Sequence, residues 1–184
     1  MIIYIIIGVV VVLLLYVVGV YNKLVKLRNM VKDQWSQIEI VLKRRADLIP
    51  NLVETVKGYA KHESETLTAV IDARNKVAAA TSPQDEMKAS AELNGALGRL
   101  FAVSESYPEL KANTNFLQLQ TQLNETEDKI TYSRQFYNDT ALKYRNAIET
   151  FPANIIAGMF GFNSNEALFF EADAQDKEVP KVSF

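Results

Sequence analysis

Apolar residues fill the start of the chain without interruption and then recur at helical spacing almost to its end. Ile2 to Val20 is nineteen residues without a charge. At about 1.5 Å per residue such a helix spans roughly 28 Å, close to the hydrocarbon thickness of a bilayer. Tyr4, Tyr16 and Tyr21 lie near its ends, where aromatic rings favour the membrane interface. The pattern predicts a single transmembrane helix with Ile2 and Val20 as its limits. A cleaved signal peptide would need a basic stretch before the apolar run and a small-x-small cleavage site after it. Neither is present, so the anchor is expected to be retained.

Beyond the anchor, Leu24, Val31, Trp35, Ile38 and Leu42 form one apolar stripe. Val53, Val56, Ala60, Leu67, Val70 and Val77 form another, and Met87, Leu93, Leu97, Leu100 and Val103 a third. The longest runs from Phe116 through Leu119, Leu123, Thr126, Ile130, Ser133, Tyr137, Thr140, Tyr144 and Ala147 to Phe151. Its alternating steps of three and four are those of a coiled-coil seam. Ser82-Pro83 reads as an N-cap followed by proline at the first helical position. Tyr107-Pro108 closes that helix, the chain to Asn115 is a connection, and Pro152 ends the last helix.

These stripes predict an all-α fold: the transmembrane helix followed by an antiparallel up-and-down four-helix bundle. Residues 1–21 are the anchor, 22–162 the bundle domain, and 163–184 an irregular acidic tail. Pro50 is the difficult point. A turn near Arg45–Asp47, with Asp47 capping a new helix, gives four helices of comparable length that bury one another. The alternative is one long helix kinked at Pro50 and running to Thr81, in a three-helix assembly that needs other chains to cover it. In the tail, Phe160, Phe162, Leu168, Phe169 and Phe170 are expected to pack, and the acidic stretch Glu171–Glu178 to be solvated.

Charge orients the anchor. No Lys or Arg precedes it, and Lys23, Lys26, Arg28 and Lys32 follow closely. The positive-inside rule then puts the N-terminus outside and the domain in the cytoplasm. The basic segment also suits an anionic leaflet. With 20 basic and 22 acidic residues in all, the charge is too balanced and too spread for nucleic acid.

Candidate chemistry is sparse. The chain has no cysteine, which excludes disulfides, thiolate metal sites and cysteine nucleophiles. His62 is its single histidine, so neither a zinc site on His62-Glu63 nor a di-iron bundle can be assembled. Phosphate loops, kinase motifs and nucleophile elbows are absent from the sequence. Glu63, Arg74, Arg99, Glu127 and Arg134 lie beside apolar stripes, where a buried Arg–Glu pair fixes helix pairing rather than catalysing a reaction. The expectation is no catalysis, no cofactor and no metal.

Four stretches are recognisable: Lys43 to Glu63, Ser106-Tyr107-Pro108-Glu109-Leu110-Lys111-Ala112-Asn113, Arg134-Gln135-Phe136-Tyr137-Asn138, and Phe151-Pro152-Ala153-Asn154-Ile155-Ile156-Ala157-Gly158. They resemble the signature of the LemA family, from roughly Tyr21 to Phe162. The resemblance implies a single-pass bacterial inner-membrane protein with a cytoplasmic helical domain and no established enzymatic activity or cofactor. It further implies kinship with a branch that takes part in forming magnetosome membranes.

The expected function is therefore an interaction or scaffold module at the membrane, with a protein partner and the lipid bilayer as its contacts. One alternative is a self-assembling, homo-oligomeric protein that organises or remodels membranes; another is an enzyme with an unrecognised site. Candidate partner-binding residues are Arg44, Arg45, Asn51, Lys111, Asn113 and Asn138. Helix capping and loop stabilisation are the competing roles for each.

Overall fold

A computed structural model describes residues 1–170. Among the described residues the fold is helical without strands. It comprises α1 (Ile2–Lys57), α2 (Ser64–Ala79), α3 (Pro83–Ser104), α4 (Pro108–Lys111), α5 (Thr114–Glu149), α6 (Ala153–Met159) and a 3-10 turn at Ser164–Glu166. The all-α class and the long apolar N-terminal helix are those expected from the hydrophobic pattern.

α1 is 56 residues long, about 84 Å at the usual rise. Its residues up to Tyr16 are all exposed, whereas a core helix of similar hydropathy would be buried. After the anchor, one seam runs along it in steps of four and three: Leu24, Arg28, Val31, Trp35, Ile38, Leu42, Arg45, Ile49, Leu52 and Val56. All ten are buried or half-buried. The seam continues past Pro50 with no change of spacing.

The turn expected near Arg45–Asp47 is therefore not formed. Asp47 lies inside α1 rather than capping a new helix, and the helix runs through Pro50 to Lys57. Nor does one helix continue to Thr81. The chain turns at Gly58–Glu63, where Tyr59 and Ala60 donate their amides to the Val56 carbonyl at 3.0 and 2.8 Å. Proline removes one helical hydrogen bond and orphans the carbonyl four residues earlier. Here that carbonyl, of Ala46, accepts from Arg74 Nε of α2 at 3.1 Å.

The described residues divide into two compact units. The first joins Met1–Glu39 to Tyr132–Leu168. In it the start of α1 faces the end of α5, burying Leu24, Val31 and Ile38 together with Tyr137, Tyr144 and Ile148. The rings of Trp35 and Tyr137 meet edge-on at 6.0 Å. Arg28 is seven residues back from Trp35, and Tyr144, seven forward from Tyr137, feels its charge. The pairing is thus antiparallel.

The second unit contains Ile40–Thr131 and the described end at 169–170. α2 and α3 pack as a hairpin, bridged by a Lys76–Glu92 ion pair at 2.5 Å. Ser82 caps α3 by accepting the Asp85 amide at 3.2 Å, and Pro83 opens the helix, as the sequence predicts. Burial of Ile49, Leu52, Val70, Leu93, Leu100, Phe116 and Ile130 builds the core. Each such side chain contributes about 1.5–3 kcal/mol by leaving water.

The α5 seam is buried or half-buried from Phe116 to Ala147, as its spacing predicts, but not at its last member. α5 stops at Glu149, and Phe151 is 75% exposed. In the tail Phe162 and Phe170 are buried and Phe169 half-buried, while Phe160 and Leu168 stay exposed. The stretch Glu171–Glu178 lies outside the described residues.

Candidate functional site

α1 and α5 in the first unit leave a groove where the apolar anchor ends. Its volume is about 680 Å³. Tyr16, Val20, Leu24 and Leu27 line it from α1, and Ala147, Thr150 and the corner Phe151–Ala153 from the other side. Lys23 and Lys143 also line it, and both are exposed. The site offers an apolar surface bordered by two ammonium groups, with no acid among its lining residues.

The segment after α6 is tied back to α1 beside this groove. Phe160 and Phe162 both meet the Tyr21 ring, with centroids 4.9 and 5.7 Å apart. The Arg28 guanidinium stands 5.0 Å over the Phe162 ring and pairs with Glu166 at 3.7 Å. Burial raises the Tyr144 phenol above its ordinary pKa; the nearby Glu166 carboxylate adds to this and Arg28 opposes it.

The six candidate partner-binding residues are divided between the two units. Asn138 is half-buried on α5 in the first unit, and the other five belong to the second. Arg45 is a correction: it is not an exposed binding residue. Its side chain is only 3% accessible. The guanidinium pairs with Glu127 Oε2 at 2.7 Å and donates to Asn94 Oδ1, joining α1, α3 and α5. Heptad spacing places Arg45 on the seam, so burial follows from position, and Glu127 and Asn94 satisfy its charge. Arg44 and Asn51 are exposed on α1.

Lys111 is exposed and pairs with Glu105 at 2.6 Å. Asn113 is half-buried, where its Oδ1 accepts the Phe116 amide at 3.0 Å and caps α5. Its Nδ2 donates to the Tyr59 hydroxyl at 2.9 Å. Tyr107 donates to Glu63 Oε1 at 3.3 Å, and burial first, then that carboxylate, raises its pKa. These motif residues thus lock the Gly58–Glu63 turn to the connection before α5. His62 is exposed, and among the described residues no three His, Asp or Glu side chains come close enough to hold a metal ion.

Sequence reasoning missed the groove and the outer face of α6. Phe151, Ile155 and Met159 are exposed and four residues apart, and Phe160 follows them. That spacing was a readable signal, hidden because Phe151 also fits the end of the α5 seam.

The chain is similar to known proteins along most of its length. The LemA family profile matches residues 34–184. Protein LemA of Metamycoplasma hominis is 30% identical over 166 residues, covering 88% of this chain and 74% of that protein. Magnetosome protein MamQ 2 of Paramagnetospirillum magneticum is 28% identical over 185 residues, covering 86% of this chain and 68% of the relative. Magnetosome protein MamQ of Magnetospirillum gryphiswaldense is 26% identical with the same coverage. The motifs that lock the turn, the continuous apolar helix and this similarity agree: the chain belongs to the LemA family.

Proposed function

We propose that this protein is a non-catalytic scaffold held at the bacterial inner membrane, with its helical units in the cytoplasm and available to a protein partner. The observation that carries the reading is the continuity of α1. One helix supplies both the exposed apolar stretch and the buried seam of the soluble units. A tether of this kind raises the effective concentration of the units for partners at the membrane. The basic residues after the anchor support the cytoplasmic orientation. Arg44, Asn51 and Lys111 remain as exposed residues through which a partner can be recognised.

A single cysteine at Ser36 in the cysteine-free chain tests the orientation. In intact cells it is expected to resist an impermeant maleimide and to react after permeabilisation; labelling in intact cells contradicts the reading. The similarity to proteins named as magnetosome proteins favours a second reading, homo-oligomeric assembly that organises membrane. A detergent-solubilised chain that stays monomeric at every accessible concentration argues against it.

A further inference from the structure

α6 has two faces of unequal fate. Ile156 and Ala157 turn inward and are buried. On the outside, Ile155 is 56% and Met159 76% exposed, flanked by Phe151 at 75% and Phe160 at 51%. Four large apolar side chains are exposed within ten residues, a concentration that a protein surface in water rarely presents without an occupant.

The location of these side chains identifies the occupant. The Phe160 ring packs on Tyr21, the first residue after the apolar run. Phe151, Pro152 and Ala153 share a groove wall with Tyr16 and Val20 of the anchor's last turns. α6 is therefore level with the end of the hydrophobic span. Arg28, Phe162 and Glu166 hold the following segment against α1, which keeps α6 at that level. Tyr132 and Phe136 are also exposed on α5.

We propose that α6 is an in-plane membrane-docking element. Phe151, Ile155, Met159 and Phe160 enter the headgroup–acyl boundary of the leaflet from which α1 emerges, while Lys23 and Lys143 meet lipid phosphates. Apolar side chains beside cations are the composition that suits an interfacial helix. Lysine stems can lie along the apolar groove while their ammonium groups reach the headgroups. The consequence is a second attachment that restrains the unit against the bilayer instead of leaving it to swing from a single helix. This proposal rests on the anchored reading of α1.

The absence of native cysteine makes the test clean. Single cysteines at Ile155, Met159, Val10 and Lys32 carry the environment-sensitive dye NBD in the full chain, with helicity checked by circular dichroism. The chain is reconstituted in phosphatidylcholine–phosphatidylglycerol vesicles containing spin-labelled lipids. Labels at 155 and 159 are expected to be quenched severalfold more by shallow spin labels than the label at 32, and to be shielded from iodide. If 155 and 159 are as open to iodide as 32 while 10 is lipid-quenched, the anchor stands and the docking proposal falls. If 10 is not quenched, both fall. Shielding from iodide without lipid quenching means that protein covers these side chains, which also overturns the proposal.

Discussion

Arg74 donates its Nε–H to the carbonyl of Ala46 at 3.1 Å, the carbonyl that Pro50 leaves without its helical partner. A proline in a helix interior costs about 3 kcal/mol, part of it the lost bond. The guanidinium returns that bond from a neighbouring helix. Arg74→Ala is expected to destabilise the protein by about 1–2 kcal/mol, the range for a charge-assisted bond to a half-exposed donor. In a Pro50→Ala background residue 50 can donate again, so the same substitution should cost clearly less. A double-mutant cycle from urea unfolding reads the difference; equal costs in the two backgrounds contradict the account.

The buried Arg45–Glu127 pair predicts an asymmetry. Glu127→Ala leaves a desolvated guanidinium with less compensation and should cost about 3 kcal/mol. Replacing both partners, Arg45→Met with Glu127→Leu, should restore most of that stability, because the seam then carries apolar residues at a seam position. Urea midpoints of the three proteins decide it. A double variant at least as unstable as the single one argues that the ion pair itself is required.

Alkaline pH should weaken the first unit. Burial raises the Tyr137 phenol above 10.0, and burial followed by the Glu166 charge does the same for Tyr144. A raised folded-state pKa means that the unfolded chain loses these protons first. The stability they contribute is intact below pH 10 and is lost as pH rises through the folded values. Thermal unfolding between about pH 8 and 11 should show this decline, and Tyr137→Phe with Tyr144→Phe should flatten it. An unchanged slope in the double variant rules these tyrosines out as its source.

The clamp at the end of the first unit predicts a local effect. Phe162→Ala removes a buried ring that carries the Arg28 guanidinium and contacts Tyr21. Large-to-small changes of this kind cost about 3–5 kcal/mol. The loss should appear as faster amide exchange in Ala157–Leu168, with the second unit unchanged. Uniform acceleration through both units would mean that the clamp supports the whole fold.

Periodicity carried most of the fold. The α5 seam from Phe116 to Ala147 and the α1 stripe from Leu24 to Leu42 are both legible as spacings, because burial follows helical phase. Pro50 was misleading because its local penalty is visible in the chain, whereas its remedy, Arg74, is 24 residues away and meets it only after folding. Arg45 was chosen as a candidate binding residue because it lies in a recognisable stretch, although it stands three residues after Leu42 and four before Ile49 on the seam. Asn113 was legible as a helix cap, and its Oδ1 accepts the Phe116 amide at the start of α5. The outer face of α6 escaped because Phe151, the first residue of its four-residue spacing, was already assigned to the end of the α5 seam, whereas α5 stops at Glu149.

The central claim is that one uninterrupted helix joins the membrane anchor to the soluble units. Spin labels at Lys26 and Glu54, both exposed on α1, test it in the full chain in lipid nanodiscs by pulsed electron resonance. An unbroken helix predicts a narrow distribution centred near ~42 Å. A chain reversal near Arg45–Asp47 would bring the labels to roughly 20 Å, about 18 Å apart along the helices and about 10 Å across them, and that result would contradict the account.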